Sequence, residues 1–350
     1  MKDLQEEEGL VHLDAAAVRR LLPPEEAVRA VRDAYIALDR GAVEAPLRAA
    51  LPARDGLATT LVMPSRGRAA GAGVEGGGGA AGEPATYVAV KVVSVAPANR
   101  DRGLPVTPGV VLLLDAVTGR PLVTMDGTAL TAVRTGAASG AATEALARPD
   151  ARTLAVIGAG GQAWDQVAGV LAVRPIRRVL VFARTRERAE ALARRVAETY
   201  PGVEAAPAAS AAEAVRAADV VSCATTSTAP VFPAEAVQPG THINGVGSFR
   251  PDMVELPPEL LRPPVFVESR EIALAESGEI LAALKAGRLR EDDLVPIGRV
   301  LAGEHPGRRD AEEVTVFKSA GTAAQDLFAA ACVWENYQAE RSQRTLRDRE

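Results

Sequence analysis

The segment Leu154-Ala-Val-Ile-Gly-Ala-Gly-Gly-Gln-Ala163 constrains this chain more than any other. An apolar, strand-like run ends in Gly158, Gly160 and Gly161, and a helical pattern starts directly after them. A strand that turns at once into a helix leaves the first helical N–H groups without partners, at an end that carries partial positive charge. Glycine lets a pyrophosphate approach that main chain closely. The motif therefore predicts a βαβ unit with a nicotinamide dinucleotide docked near residue 160, on Gly158, Gly160, Gly161, Gln162 and Ala163.

The alternation continues beyond this unit. Strands are expected over 153–157, 178–182, 220–223, 241–246 and 265–267, with helices over 161–171, 186–199 and 211–217. Strands separated by helices of this length predict a parallel sheet with right-handed crossovers. The expected fold class is α/β: a Rossmann-like, doubly wound parallel sheet over 134–313, plus a second, α+β domain built from both chain ends, 1–133 and 314–350. In that second domain, 14–40 reads as helical. Residues 48–63 read as two extended pieces with a turn at Asp55-Gly56, 87–95 as a strand, 110–114 and 121–125 as a hairpin, and 128–147 as an Ala-rich helix. The stretch 315–335 reads as a strand running into a helix that returns to this domain. The segment 65–84 is low in complexity and Gly-rich, and reads as a flexible surface loop.

Composition excludes several classes. Net charge is −5 with Lys and Arg scattered, which argues against nucleic acid as a partner. The two cysteines, Cys223 and Cys332, form no disulfide or zinc framework, and His12, His242 and His305 lie too far apart in sequence to suggest a metal cluster. Cys223 and His242 read as core residues. No signal pattern and no apolar run of membrane-spanning length occurs, so a soluble cytoplasmic protein is expected.

The end of the second parallel strand discriminates between cofactors. An acid there would bind the ribose hydroxyls of NAD(H). This chain has Phe182-Ala-Arg-Thr-Arg186, so Arg184 and Thr185 are expected to hold a 2′-phosphate and NADP(H) is preferred, with NAD(H) the alternative. The bland reading is a solvated helix start. Ala224-Thr225, after the strand 220–223, and Val246-Gly247, at the end of the strand 241–246, are expected to border the nicotinamide and its ribose.

Three cations break otherwise apolar patterns. Lys91 interrupts Val88-Ala-Val-Lys-Val-Val93, where a lysine is costly unless it meets solvent or an anion. Arg134 lies in an Ala/Gly-rich helix, and Arg48 precedes an extended piece. An α-carboxylate needs such charged, preferably bidentate donors in a partly dry pocket.

The runs Lys91-Val-Val-Ser94, Leu114-Asp-Ala-Val-Thr-Gly-Arg-Pro-Leu122, Met125-Asp-Gly127, Leu130-Thr131, Arg134-Thr135, Ile157-Gly-Ala-Gly-Gly-Gln-Ala163, Ile243-Asn-Gly-Val-Gly-Ser-Phe-Arg-Pro-Asp252 and Thr315-Val-Phe-Lys-Ser-Ala-Gly321 resemble the ornithine cyclodeaminase/mu-crystallin family. The resemblance runs in order over almost the whole chain, with 65–84 as a local insertion. It implies a Rossmann domain, a substrate and dimerisation domain, a homodimer, and a small α-amino or α-imino acid as ligand. By resemblance, Arg48, Lys91 and Arg134 hold the substrate carboxylate, Lys91 and Arg134 act in catalysis, and Met63 and Glu276 lie near the substrate. Thr107, Thr135, Arg184, Thr185, Val246 and Ser319 match cofactor contacts. Phe249 stands where the cyclodeaminases carry a catalytic Asp, so the resemblance is closer to the ketimine reductase and mu-crystallin branch. The expected function is NAD(P)H-dependent reduction of a cyclic ketimine such as Δ1-pyrroline-2-carboxylate or Δ1-piperideine-2-carboxylate. Ornithine cyclodeamination, alanine dehydrogenase-like chemistry and non-catalytic NADPH binding are the alternatives.

Overall fold

The computed structural model describes residues 10–54, 57–69 and 85–347. The N-terminal part starts with β1 (Val11–Leu13), α1 (Ala15–Leu21) and α2 (Pro24–Asp39). The expected continuous helix over 14–40 is thus two helices. Asp14 caps α1 through Ala17 N–H, and Pro23-Pro24 ends one helix and starts the next, because proline lacks the N–H and fixes its own φ. There follow β2 (Val43–Glu44), β3 (Ala49–Pro52), β4 (Thr59–Arg68), β5 (Thr86–Val95), β6 (Gly109–Asp115) and β7 (Pro121–Asp126). They form a seven-stranded sheet ordered β1-β7-β6-β5-β4-β2, with β3 also paired to β4. All pairings are antiparallel except β1 with β7. Residues 65–68 of the expected flexible loop belong to β4 instead, and Asp55-Gly56 and 70–84 lie outside the described residues.

The alternating burial of β5 sets the sheet's two faces. Tyr87, Ala89, Lys91 and Val93 point inward, while Val88, Val90 and Val92 stay half-buried on the outer face. Inside, α3 (Gly127–Leu146) and the C-terminal α10 (Ala323–Arg347) cover the strands.

The second lobe alternates strand and helix: β8 (Thr153–Ile157), α4 (Ala163–Leu171), β9 (Arg178–Phe182), α5 (Arg186–Thr199), β10 (Glu204–Pro207), α6 (Ala211–Arg216), β11 (Val220–Cys223), β12 (His242–Gly245), β13 (Val265–Val267), α7 (Arg270–Glu276), α8 (Gly278–Lys285), β14 (Leu294–Pro296), α9 (Ile297–Leu301) and β15 (Thr315–Lys318). The eight strands are all parallel, in the order β10-β9-β8-β11-β12-β15-β13-β14. The first five positions are the doubly wound arrangement expected from the sequence.

Two boundaries differ from expectation. The break placed at 133/134 falls inside α3, which runs unbroken from Gly127. Strand β15, assigned above to the first domain, inserts between β12 and β13, and only α10 returns to the first lobe. Apolar strands buried on both faces suit either sheet, so residues 315–318 carried no local signal for their partners. The lobes are bound by close helix contact: a Cβ on Gly136 of α3 would lie 2.0 Å from Asp165 O, and one on Gly169 of α4 would lie 2.1 Å from Gly136 O.

His242 is a core residue, fully buried and bonded to Thr315 Oγ1 at 2.9 Å and Asn244 Oδ1 at 3.1 Å. Burial, then the charge of Arg308, pushes it down to about 3. In the unfolded chain it titrates near ~6.5. Between these values the unfolded state binds a proton that the folded state refuses, so stability falls as pH drops from ~6.5 toward 3, by up to about 1.4 kcal/mol per pH unit. Denaturant titrations across that range are expected to show this slope in the native protein and a shallower one in His242→Gln.

Candidate active site

The carboxyl ends of β8, β11, β12 and β15 open toward the first lobe. After β8 the chain turns through Gly158 at φ 106°, a conformation that L side chains avoid. A Cβ there would also meet Ala224 O at 2.7 Å. Above Gly160 and Gly161 the space is open, as a docked pyrophosphate requires. Gln162 then occupies the N-cap of α4, and Ala163 is its first buried residue. These five residues fit a dinucleotide. Arg184 and Thr185 lie exposed between β9 and α5, with Thr185 at the N-cap making no side-chain cap bond. Their neighbour Arg186 pairs with Glu190 at 2.8 Å.

Further along the edge, Ala224 and Thr225 follow β11, and Val246 and Gly247 follow β12. A Cβ on Gly247 would lie 2.2 Å from Thr225 O, so the two loops touch. Ser319, after β15, is buried and donates its hydroxyl to Glu268. Thr107 sits in the turn before β6 and accepts at its carbonyl from Thr128 Oγ1 at 3.2 Å. Thr135 is buried on α3 and donates to Thr131 O at 2.7 Å.

Two of the three cations meet where α10 begins. Lys91, on the inner face of β5, is 1% exposed, and its Nζ lies 2.8 and 2.7 Å from the two oxygens of Asp326 on α10. Arg134, on α3, donates from Nε to the same carboxylate at 3.1 Å and from Nη1 to Gln325 Oε1 at 2.9 Å. Gln325 in turn donates to the Tyr35 hydroxyl at 2.5 Å. Burial first, and Arg134 second, lower the Lys91 ammonium to about 7 against the opposing pull of Asp326.

Arg48, in the loop between β2 and β3, crosses to the other lobe. Its Nε donates to Glu276 Oε1 at 2.7 Å and its Nη2 to Glu276 Oε2, at the end of α7. Nη2 also reaches Ala320 O at 3.3 Å. Arg48, Glu276 and Met63 line one small pocket with Pro46, Leu47 and Ile272, floored by 321–323. Gly321 lies between this pocket and Arg134, since a Cβ there would sit 2.9 Å from Nη1.

Sequence reasoning thus named the cations but missed what holds them. Asp326 and Gln325 sit in Ala323–Trp334, a run buried at every position. An acid and an amide inside such a run were the available signal, because buried polar groups demand partners. Among the described residues, no group of three His, Cys, Asp or Glu could hold a metal ion.

A Rossmann-like lobe beside a buried cluster of cations is the arrangement of a nicotinamide-dependent protein. Comparison with known proteins makes this more specific. The chain belongs to the ornithine cyclodeaminase/mu-crystallin family, whose model its residues 10–341 match. It is 40% identical over 293 residues to a Delta(1)-pyrroline-2-carboxylate reductase of Bacillus cereus, covering 83% of this chain and 85% of that one. It is 34% identical over 335 residues to the ketimine reductase mu-crystallin of Mus musculus, covering 95% and 96%. Among solved structures, Thermococcus litoralis Delta(1)-pyrroline-2-carboxylate reductase in complex with NADH and L-proline superposes with a TM-score of 0.85 at 34% identity, covering 95% of this chain and 98% of that one.

One acid balancing two buried cations has a measurable consequence. Asp326→Asn leaves Lys91 and Arg134 without a countercharge, which costs about 3–5 kcal/mol for a buried pair broken on one side. Urea or thermal unfolding is expected to show a loss of that size, with added carboxylate ligand restoring part of it.

Proposed function

We propose that this protein is an NAD(P)H-dependent reductase of small cyclic α-imino acids, such as Δ1-pyrroline-2-carboxylate or Δ1-piperideine-2-carboxylate, forming the amino acid. The observation that supports the reading is that Lys91 and Arg134 share Asp326 near the start of α10, with Gly321 both packed under Arg134 and lining the pocket beside Arg48. Arg134 has donors left over after Asp326 and Gln325, and these face the substrate carboxylate. Arg48 reaches that carboxylate by exchanging Glu276 for it. Met63, Pro46, Leu47 and Ile272 give the ring an apolar wall.

When bound, the reduced nicotinamide supplies a hydride to the imine carbon. Arg48 and Arg134 fix the carboxylate and so hold that carbon at the sheet edge, a positioning effect of several kcal/mol. Lys91 donates a proton to the imine nitrogen as its C=N π pair becomes an N–H bond, and is reprotonated afterwards. Phe249, after β12, cannot take up a proton, so ornithine cyclodeamination is not the favoured reaction.

NADPH is preferred over NADH, because Arg184 and Thr185 are exposed at the end of β9 where an acid would otherwise select NADH. In this reading the described residues of 10–126 together with α10 form the substrate and dimerisation part, and 153–318 the cofactor part, with α3 between them. The protein works as a homodimer. The half-buried outer face of the first sheet, with Val62, Val88, Val90, Val92, Leu112 and Leu114, is covered by the same face of a second copy. Free buried thiols at Cys223 and Cys332 suit the cytoplasm.

The test is NADPH oxidation with pyrroline-2-carboxylate, piperideine-2-carboxylate, and pyruvate plus methylamine, with ornithine and NAD as the control. Turnover of the cyclic imines is expected; ammonia release from ornithine instead would overturn the assignment. Reduction needs protonated Lys91, so its rate is expected to fall as pH rises through about 7, while amino-acid oxidation rises. Lys91→Met is expected to abolish this limb and lower kcat by about 10²-fold or more. Sedimentation of Val90→Asp against the parent chain checks the dimer: the parent runs at twice the chain mass, the variant as a monomer.

A further inference from the structure

Besides Glu268, three ionisable side chains are buried at the carboxyl edge of the parallel sheet, and none lines the pocket beside Arg48. Glu255 is fully buried, and its carboxylate accepts from Thr225 N at 2.5 Å, Gly247 N at 2.6 Å and Ser248 N at 3.1 Å. Thr225 belongs to the loop after β11, and Gly247 and Ser248 to the loop after β12, so one side chain ties both loops. Glu279, at the start of α8, accepts from Ser248 Oγ at 2.7 and 2.8 Å and from Glu255's own N–H at 2.7 Å. Lys318 Nζ, from the end of β15, donates to the carbonyls of Gly245 at 3.1 Å, Ser248 at 2.6 Å and Ser319 at 2.9 Å.

Burying such groups in charged form costs several kcal/mol each unless the bonds they make are well aligned. Closing two short loops does not require that outlay, since backbone-to-backbone bonds would serve. A carboxylate offers something those cannot: two oxygens that accept from several converging amides at once, with no donor of its own. It therefore holds two loops at a fixed separation. At Gly247 the loops are close enough that a Cβ would lie 2.6 Å from Glu255 Oε1.

We propose that Glu255, backed by Glu279 and Lys318, is a positioning residue that sets the platform on which the nicotinamide half of the cofactor lies. The inference rests on the dinucleotide reading above and deepens it. The platform also reaches the substrate side. Lys318 holds Ser319, Glu268 holds Ser319, Ala320 and Gly321, and Gly321 packs under the Arg134 guanidinium. Ring and carboxylate grip thus share one hydrogen-bonded frame, while the adenosine half is held separately around Gly158 to Ala163 and Arg184.

That separation supplies the test. Binding of NADH and of ADP-ribose, which lacks the nicotinamide, is measured on the full-length protein and on Glu255→Gln, where the amide NH2 would confront a backbone donor. NADH affinity is expected to fall about tenfold, the loss of roughly one charged hydrogen bond. ADP-ribose affinity is expected to stay within about twofold of the parent. The deuterium isotope effect on hydride transfer is expected to rise, and Glu255→Asp to recover part of the NADH affinity. Equal losses for both ligands would mean a merely structural role and overturn the proposal, as would no loss for either. If Glu255→Gln does not fold, Glu279→Gln is expected to give the same split at smaller size, and its absence there is equally fatal. A parent chain that binds neither ligand instead refutes the cofactor reading itself.

Discussion

The Asp326 carboxylate, shared between Lys91 and Arg134, is the interaction on which the rest depends. The three residues come from different elements, β5, α10 and α3, and meet in a volume where each is at most 6% exposed. Unpaired, either cation would cost more to bury than one residue's apolar contacts return. Asp326 serves both, while burial and the neighbouring Arg134 lower the Lys91 ammonium to about 7. Arg48 is paired separately, with Glu276.

A similar logic runs along the sheet edge. Each loop after a parallel strand would on its own be loosely held. Here Gly158 packs on Ala224, Thr225 on Gly247, and Glu255, Lys318 and Glu268 tie the remaining turns as far as Gly321. Rigidity at this edge matters because hydride transfer depends on the placement of one carbon over another, and misplacement by about 1 Å costs orders of magnitude in rate.

What was legible in the sequence was what broke a local pattern. The glycine turn showed because no other residue suits a strand-to-helix transition at φ 106°. Lys91 showed because it interrupts five valines and alanines in a strand. Their partners did not show. Lys91 and Asp326 are 235 residues apart and Arg134 and Asp326 are 192 apart, so the pairing exists only once both sheets and α10 are in place. Glu255, Glu268 and Lys318 look like surface charges in short loop-flanked segments, and only the fold buries them. The boundary errors have the same origin. Strand β15 reads correctly as a strand, but its choice of β12 and β13 as neighbours is a tertiary decision.

The chain crosses between lobes twice, through α3 and between β15 and α10, and both crossings lie against Arg134. Both crossings are thereby tied by geometry to the Asp326 cluster. The Arg48–Glu276 pair adds a third link, one made of side chains alone. Arg48 sits in a loop beside the exposed strand β3, whereas Lys91 and Arg134 are locked in a core strand and helix. On the reading proposed above, a substrate carboxylate therefore displaces Glu276 from Arg48 more readily than Asp326 from the other two.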